Sequence, residues 1–401
     1  MDNGKMNTGK SFFFALAAAL GIAAAQACTS WVMHSSATKS GLITVTKCRD
    51  QKPYRISGDI RVSPRGWRWL RLGQHPNKIS FEGGYTGYGM NEMGVVTTCN
   101  DGDYLTSEYP REGRVNIGSY SILRQVLVEC DNAWDGAVLI RDHCRASRRP
   151  GVQGHHGSTL MVADGRHAYI VDIGTAYGEI KEIKSGMLVI SNKMHLPGIE
   201  EFAASQLRSF LSDRARETNS RKVMNEYREN GKFTVQGIIR ASRAKCAKGD
   251  DLRERYPFRS NSQGAAIFEL EPEFPAQLTT CYTTIGPQRH TVYLVIPMAV
   301  RQMPDKIRNG KWADLAFEFR KKCGDEHPSL DALYAFEAKT LPEYDKVREE
   351  ARKLLRAGKT EEAVKLLNEY FEREFKAADE LLTRLVETTP ECKDPSQNCG
   401  I

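Results

Sequence analysis

Ala25-Gln26-Ala27-Cys28-Thr29-Ser30 ends a segment with the layout of an export signal and opens the remaining chain on a cysteine. Lys5 and Lys10 make a basic front, and Ser11 to Ala24 is an apolar run of Phe, Ala, Leu and Ile. That run is short for crossing a bilayer. Ala25 and Ala27 are the small residues that a signal peptidase reads, so residues 1–27 are expected to be removed by that enzyme. Cleavage after Ala27 leaves Cys28 with a thiol and a free α-amine on one residue. The thiolate is the reactive form of cysteine. An α-amine with an ordinary pKa of roughly 7.7–8.0 can take the thiol proton near neutrality. An N-terminal nucleophile of this kind carries its own general base. Two plainer readings stand beside it. Cys28 could be the lipid-bearing cysteine of an exported lipoprotein, although that signal normally has Leu where Ala25 stands. It could also be a disulfide cysteine near the cut.

The full chain has 401 residues, 40% hydrophobic and 27% charged, in the range of globular proteins. This is room for one large domain with an appendage, or for two domains. A net charge of +7 is spread along the chain and makes no case for nucleic acid. Ten cysteines stand at 28, 48, 99, 130, 144, 246, 281, 323, 392 and 399. None forms a CxxC pair, so a zinc site has no support. Export permits disulfides, and Cys392 with Cys399 in the polar tail is the easiest pair to imagine bridged.

From Cys28 the pattern predicts a hairpin. Its first strand runs to His34, a turn occupies Ser35 to Gly41, and the return strand leads to Lys47-Cys48-Arg49-Asp50. Pro53 to His75, basic and aromatic, is expected to be a surface loop. Phe81 to Asp101 reads as a second hairpin turning at Asn91 to Gly94. Apolar spacing predicts one helix over 119–142 and others over 200–211 and 222–229, with strands over 158–171, 180–191, 263–270, 278–285 and 290–297. Beyond about residue 301 the chain becomes charged, Ala/Leu-rich and helix-periodic, chiefly over 312–321 and 341–387. The expected domains are 28–300 and a helical C-terminal extension, 301–401. Ala357 to Val364 has the look of one helical-hairpin repeat unit, and a single unit cannot make a solenoid.

Four motifs then occur in order: Cys28-Thr29, Lys47-Cys48-Arg49-Asp50, Gly89-Met90-Asn91-Glu92-Met93-Gly94 with Asn100, and Ser191-Asn192. In these the chain resembles the cysteine N-terminal-nucleophile hydrolases of linear amides. That group comprises the choloylglycine (bile salt) hydrolases, penicillin V acylases, related dipeptidases and isopenicillin-type acyltransferases. The resemblance covers roughly residues 28 to 300. It implies an α+β fold with a four-layer αββα core of two face-to-face antiparallel sheets, followed here by the helical extension. It makes Cys28 the nucleophile and its amine the base, with Asp50 orienting that amine. Asn100 becomes the oxyanion donor and Asn192 the group that positions the substrate carbonyl or the amine. The group usually has Arg where Lys47 stands. Arg49, on the same face of the strand, is the alternative, and Arg259 is the candidate for a later substrate-binding arginine.

The implied reaction is hydrolysis of a linear amide, a small molecule or short peptide, through a thioester and without metal or cofactor. A dipeptidase or acyltransferase is the alternative within the class. A lipid-anchored binding protein is the alternative outside it. The expected location is outside the cytoplasm, periplasmic or extracellular, and oligomerisation stays open.

Overall fold

Thr29-Ser30-Trp31-Val32-Met33 is buried along its whole length, which a strand covered on both faces requires. Its side chains alternate between two cores: Val32 enters one, Trp31 and Met33 the other. The next strand repeats this, with Ile43 and Val45 facing the first core and Cys48 the second. A computed structural model describes residues 28–50, 56–74, 86–101, 115–116, 119–146, 152–153, 158–174, 177–192, 195, 207–245, 257–258, 262–324 and 329–391.

In chain order the first strands are β1 (Thr29–Met33), β2 (Ile43–Asp50), β3 (Ile56–Val62), β4 (Arg68–Gln74), β5 (Tyr88–Asn91) and β6 (Val96–Asp101). Then come β7 (Val115–Asn116), helices α1 (Ser119–Glu129) and α2 (Ala133–Ala146), and β8 (Val152–Gln153). β9 (Ser158–Ala163), β10 (Ala168–Gly174), β11 (Tyr177–Glu182) and β12 (Met187–Ile190) lead to α3 (Leu207–Glu226) and α4 (Val235–Ser242). β13 (Ser262–Leu270), β14 (Thr280–Ile285) and β15 (Leu294–Pro297) precede α5 (Lys311–Cys323), α6 (Leu330–Arg356) and α7 (Thr360–Thr388).

The strands form a six-stranded sheet, ordered β12-β1-β2-β13-β14-β15, and a seven-stranded one, ordered β11-β10-β9-β6-β5-β4-β3. Every pair within both is antiparallel. Val32, Val45 and Phe268 of one sheet share a core with Leu70, Met90 and Met161 of the other, so the sheets pack face to face. On the outer face of the seven-stranded sheet, α1 and α2 bury Leu123, Val126 and Ile140 against Leu160 and Val171. On that of the six-stranded sheet, α3, α4, α6 and α7 cover Trp31, Ile267, Tyr282 and Val295. The order is helix, sheet, sheet, helix: an α+β fold of four layers. The helices beyond residue 301 are part of it, supplying Leu341, Tyr344, Leu367 and Tyr370 to the same core.

Several elements differ from their sequence reading. Residues 56–74, expected as a loop, are strands β3 and β4, paired from Ile56↔Gln74 to Val62↔Arg68. β4 shows no alternation because Trp69, Leu70, Arg71 and Leu72 are all buried, on both of its faces, and Arg71 stands among them donating to Ser57 Oγ at 2.7 Å. The helix expected over 119–142 is two. Asn132 breaks it, its side chain accepting from Asp135 N at 2.9 Å as an N-cap, and Asp164 accepts from Ala133 N at 2.8 Å. The two short helices expected around 200–229 appear as the single helix α3. Cys28, Cys48, Cys99, Cys130, Cys281 and Cys323 are thiols. Cys392 and Cys399 lie outside the described residues.

Candidate active site

The antiparallel order brings several strand ends to one edge of the sandwich. β1 begins there and β2 ends, with Thr29 opposite Cys48. β12 ends beside β1, Ile190 opposite Ser30, and β13 begins with Ser262 opposite Asp50. In the other sheet Asn100, the last residue but one of β6, stands opposite Thr159. Alternation places Lys47 on the face of β2 that carries Val45, and Asn100 on the face of β6 that carries Val96, both toward the inter-sheet layer.

Cys28 sits at this edge, 8% exposed, between Asn192 and Asn100. Its backbone N donates to Asn192 Oδ1 at 2.7 Å. Asn100 is fully buried. Its Oδ1 accepts from Lys47 Nζ at 2.7 Å and Ser30 Oγ at 2.8 Å. Its Nδ2 donates to Ile190 O at 2.9 Å and Ser191 O at 3.1 Å, and lies 3.5 Å from Cys28 O. Two donors at the oxygen and carbonyls at the nitrogen allow only one orientation of this amide. Lys47 Nζ also donates to the Cys99 carbonyl. The amide is thus a bracket between the sheets, turned toward the Cys28 carbonyl.

Asp50 is fully buried and accepts from Ser262 Oγ at 2.5 Å. Cys48, on the outer face of β2, is held above the ordinary thiol range by burial and then by the nearby Asp50 carboxylate. It is therefore a protonated, inert neighbour of Cys28 at neutral pH. Of the two basic candidates on β2, Lys47 is the one bonded to Asn100. Arg49 is buried and reaches across to Gly87, where an added Cβ would stand 2.1 Å from its Nη1. Glycine at 87 is what admits the guanidinium. Arg259 lies outside the described residues.

Sequence reasoning missed three participants. Arg216, on α3 and 3% exposed, donates from Nη1 to Cys28 O at 3.1 Å and Asn192 Oδ1 at 3.0 Å. Its neighbour Glu217 accepts from Ser191 N at 3.2 Å, Ser191 Oγ at 2.7 Å and His195 Nε2 at 2.7 Å. Asp172 on β10 accepts from His195 N at 2.5 Å and from Thr159 Oγ1 at 2.5 Å. The segment carrying Asn192 is therefore pinned by α3 on one side and by β9 and β10 on the other. The signal was weak because residues 212–221 fall between the two helices that apolar spacing suggests. Among the described residues, no group of three or more His, Cys, Asp or Glu is placed to hold a metal ion.

No protein-family profile matches this chain, and no curated protein matches it. Solved structures do. The chain is similar to a conjugated bile acid hydrolase variant from Clostridium perfringens, with a TM-score of 0.42 and 13% identity over 68% of this chain and 92% of that one. It is similar to an N-acylethanolamine-hydrolyzing acid amidase ortholog from Caenorhabditis elegans, with a TM-score of 0.41 and 11% identity over 62% and 95%. A penicillin V acylase from Agrobacterium tumefaciens gives 0.41 and 12% over 68% and 86%.

Chemically, the edge combines a buried thiol, a polar bracket of Lys47 and Asn100, a buried carboxylate on β2, and a guanidinium at the Cys28 carbonyl. A residue whose own nitrogen and carbonyl are both gripped by side chains is held far more firmly than a strand start requires.

Proposed function

We propose that this chain is an exported cysteine hydrolase of linear amides, with Cys28 as nucleophile after removal of residues 1–27. The observation that carries the reading is the grip on Cys28: Asn192 at its nitrogen, Arg216 and Asn100 at its carbonyl. The resemblance in the four sequence motifs supports it, because Cys28, Lys47, Asn100 and Asn192 come from distant parts of the chain and meet at one edge.

In this mechanism the α-amine takes the thiol proton, and the sulfur attacks the amide carbon to form a tetrahedral oxyanion. Asn100 is the donor assigned to that charge, its Nδ2 exchanging one of its bonds to Ile190 O and Ser191 O for the oxyanion, and one such donor contributes roughly 3–4 kcal/mol. Collapse breaks the carbon–nitrogen bond. The leaving amine takes the proton back from the ammonium, leaving an acyl thioester on Cys28. Water then attacks with the α-amine again as base, releasing the carboxylic acid and restoring the thiol. Asp50 orients the amine, and Asn192 holds it through Oδ1. Substrates are small amides or short peptides, dipeptides included, and water is the acceptor unless a second amine competes as in an acyltransferase. Maturation by a signal peptidase places the enzyme in the periplasm or outside the cell.

The test is the intact mass of exported protein before and after iodoacetamide, beside Cys28→Ser. The expected result is a chain starting at an unmodified Cys28 that is alkylated ahead of the other nine cysteines. A different N-terminus would refute both readings of Cys28, whereas an acylated amine, or labelling with no preference for Cys28, would refute the hydrolase and favour the anchored binding protein.

A further inference from the structure

Helix α3 sends two consecutive side chains to the Ser191-Asn192 pair, and their charges are opposite. Glu217 takes Ser191 and His195, while Arg216 takes Asn192 Oδ1 and the Cys28 carbonyl from a single nitrogen. Asn192 Oδ1 is the atom that receives the Cys28 nitrogen. The guanidinium therefore shares an acceptor with the group that becomes the α-amine on maturation. A neighbouring cation disfavours protonation of an amine, and an arginine stays charged at any working pH.

We infer that Arg216 is a positioning residue that keeps the mature α-amine of Cys28 in its free-base form and turns Asn192 Oδ1 toward it. This rests on the reading of Cys28 as the mature N-terminus. A general base is effective only while unprotonated, and in its proposed role of orienting the amine the Asp50 carboxylate pulls the other way by favouring the ammonium. Arg216 offsets that pull, so the amine can accept the thiol proton at neutral pH. The other charged or titratable groups bonded at this edge, or beside Cys28 on β2, are Lys47, Cys48 and Arg49 on β2, Glu217 on α3, His195 after β12 and Asp172 on β10. Lys47 is committed to Asn100 and the Cys99 carbonyl, and Glu217 is committed to Ser191 and His195. That leaves Arg216 as the cation bonded directly to the Cys28–Asn192 pair among the described residues.

The experiment is the pH profile of Cys28 alkylation by iodoacetamide, followed by intact mass on the mature protein. In this step the thiol proton passes to the amine, the carbon–sulfur bond forms and iodide leaves, so the rising limb reports the thiol–amine pair. Arg216→Gln is expected to move the limb to higher pH by about one unit, roughly tenfold in rate on its acid side. Arg216→Lys is expected to keep the limb in place while lowering the plateau, because the charge remains and the shared bonding to two acceptors is lost. A loss of packing alone would lower both plateaus and shift neither limb. No shift in Arg216→Gln, or equal shifts in both variants, overturns the inference. If Arg216→Gln does not fold, a ¹⁵N titration of the wild-type Cys28 amine decides. A midpoint below roughly 7.7 supports the inference, and one at or above roughly 8 overturns it. Selective labelling of Cys28 without a limb shift refutes only the role of Arg216. Absence of selective labelling in wild type refutes the hydrolase reading as well.

Discussion

At the scale of the residue, Lys47 and Asn100 form a buried pair whose value depends on both members. Lys47 is 2% exposed and supplies a donor to Asn100 Oδ1 and to the Cys99 carbonyl. Lys47→Met keeps the apolar stem and removes the donors, leaving two buried acceptors short. Such a loss costs about 1–3 kcal/mol, and the bracket on Asn100 loosens with it. The expected result is a lower unfolding midpoint together with a fall of about 100-fold in turnover of an amide substrate. Measurement of kcat separately from KM distinguishes this from a binding defect. Asn100, Asn192 and Lys47 could be picked from the sequence because their motifs are short and ordered from Cys28. Arg216 and Glu217 could not. They reach the site from a helix with little apolar periodicity, and nothing local in 212–221 points to a partner 188 positions away at Cys28.

At the scale of the element, two devices tie the last helices to the six-stranded sheet. Arginines at four-residue spacing on α6 meet carboxylates at two-residue spacing on and after β13. Arg348 pairs with Glu269 at 2.9 Å, Arg352 with Glu271 at 2.7 Å and Arg356 with Glu273 at 2.7 Å. One helical turn plus a fraction rises about 6 Å and two strand residues about 6.6–6.8 Å, so the two repeats keep step. The rungs become more exposed outward: Arg348 is 7% exposed, Arg352 18% and Arg356 57%. Arg348→Ala strands a buried carboxylate and is expected to cost about 3–5 kcal/mol. Arg356→Ala is expected to leave the denaturation midpoint unchanged, since solvent screens that pair. Equal effects at the two ends, read by chemical denaturation, would refute the gradient.

The second device caps the edge of the sheet. β15 pairs with β14 alone, and the N–H groups of 293 and 295 turn toward the helices. Glu337 of α6 accepts from Tyr293 N at 2.8 Å, and both oxygens of Glu374 of α7 meet Val295 N, at 3.3 and 3.1 Å. Burial pushes the Glu374 carboxyl well above its ordinary value of 4.5. A group raised on folding contributes stability that is fully present below the unfolded pKa and is lost as pH rises toward and through the folded one. Wild-type stability is therefore expected to decline from pH 4.5 upward through this group, and Glu374→Gln to flatten that decline in thermal midpoints measured from pH 4.5 to 8. A steeper decline in Glu374→Gln would reverse the assignment.

At the scale of the whole molecule, α6 and α7 supply much of the apolar cover over Trp31, Ile267, Tyr282 and Val295. A chain ending at Cys323 would expose that core and the β15 edge together, and an exposed strand edge invites pairing between molecules. It is expected to aggregate or to lack a cooperative transition, whereas a chain ending at Glu391 should melt as the full protein does. Scanning calorimetry on both decides. The site depends on the same cover, because Cys28 directly precedes the strand whose Trp31 and Met33 lie beneath these helices.

The sequence by itself determined the local events: the hairpin that follows Cys28, the α+β alternation and the helices beyond residue 301. These are set by contacts a few residues apart and by side-chain periodicity. Only the tertiary structure decided that β3 and β4 are strands, because β4 is covered on both faces and a buried arginine stands among its apolar residues, so no alternation shows. It alone decided that Lys47 rather than Arg49 meets Asn100, that Arg216 stands at the Cys28 carbonyl, and that the last helices cap a sheet edge. Each of these joins elements far apart along the chain, and the geometry of such a meeting exists only once the two sheets have packed.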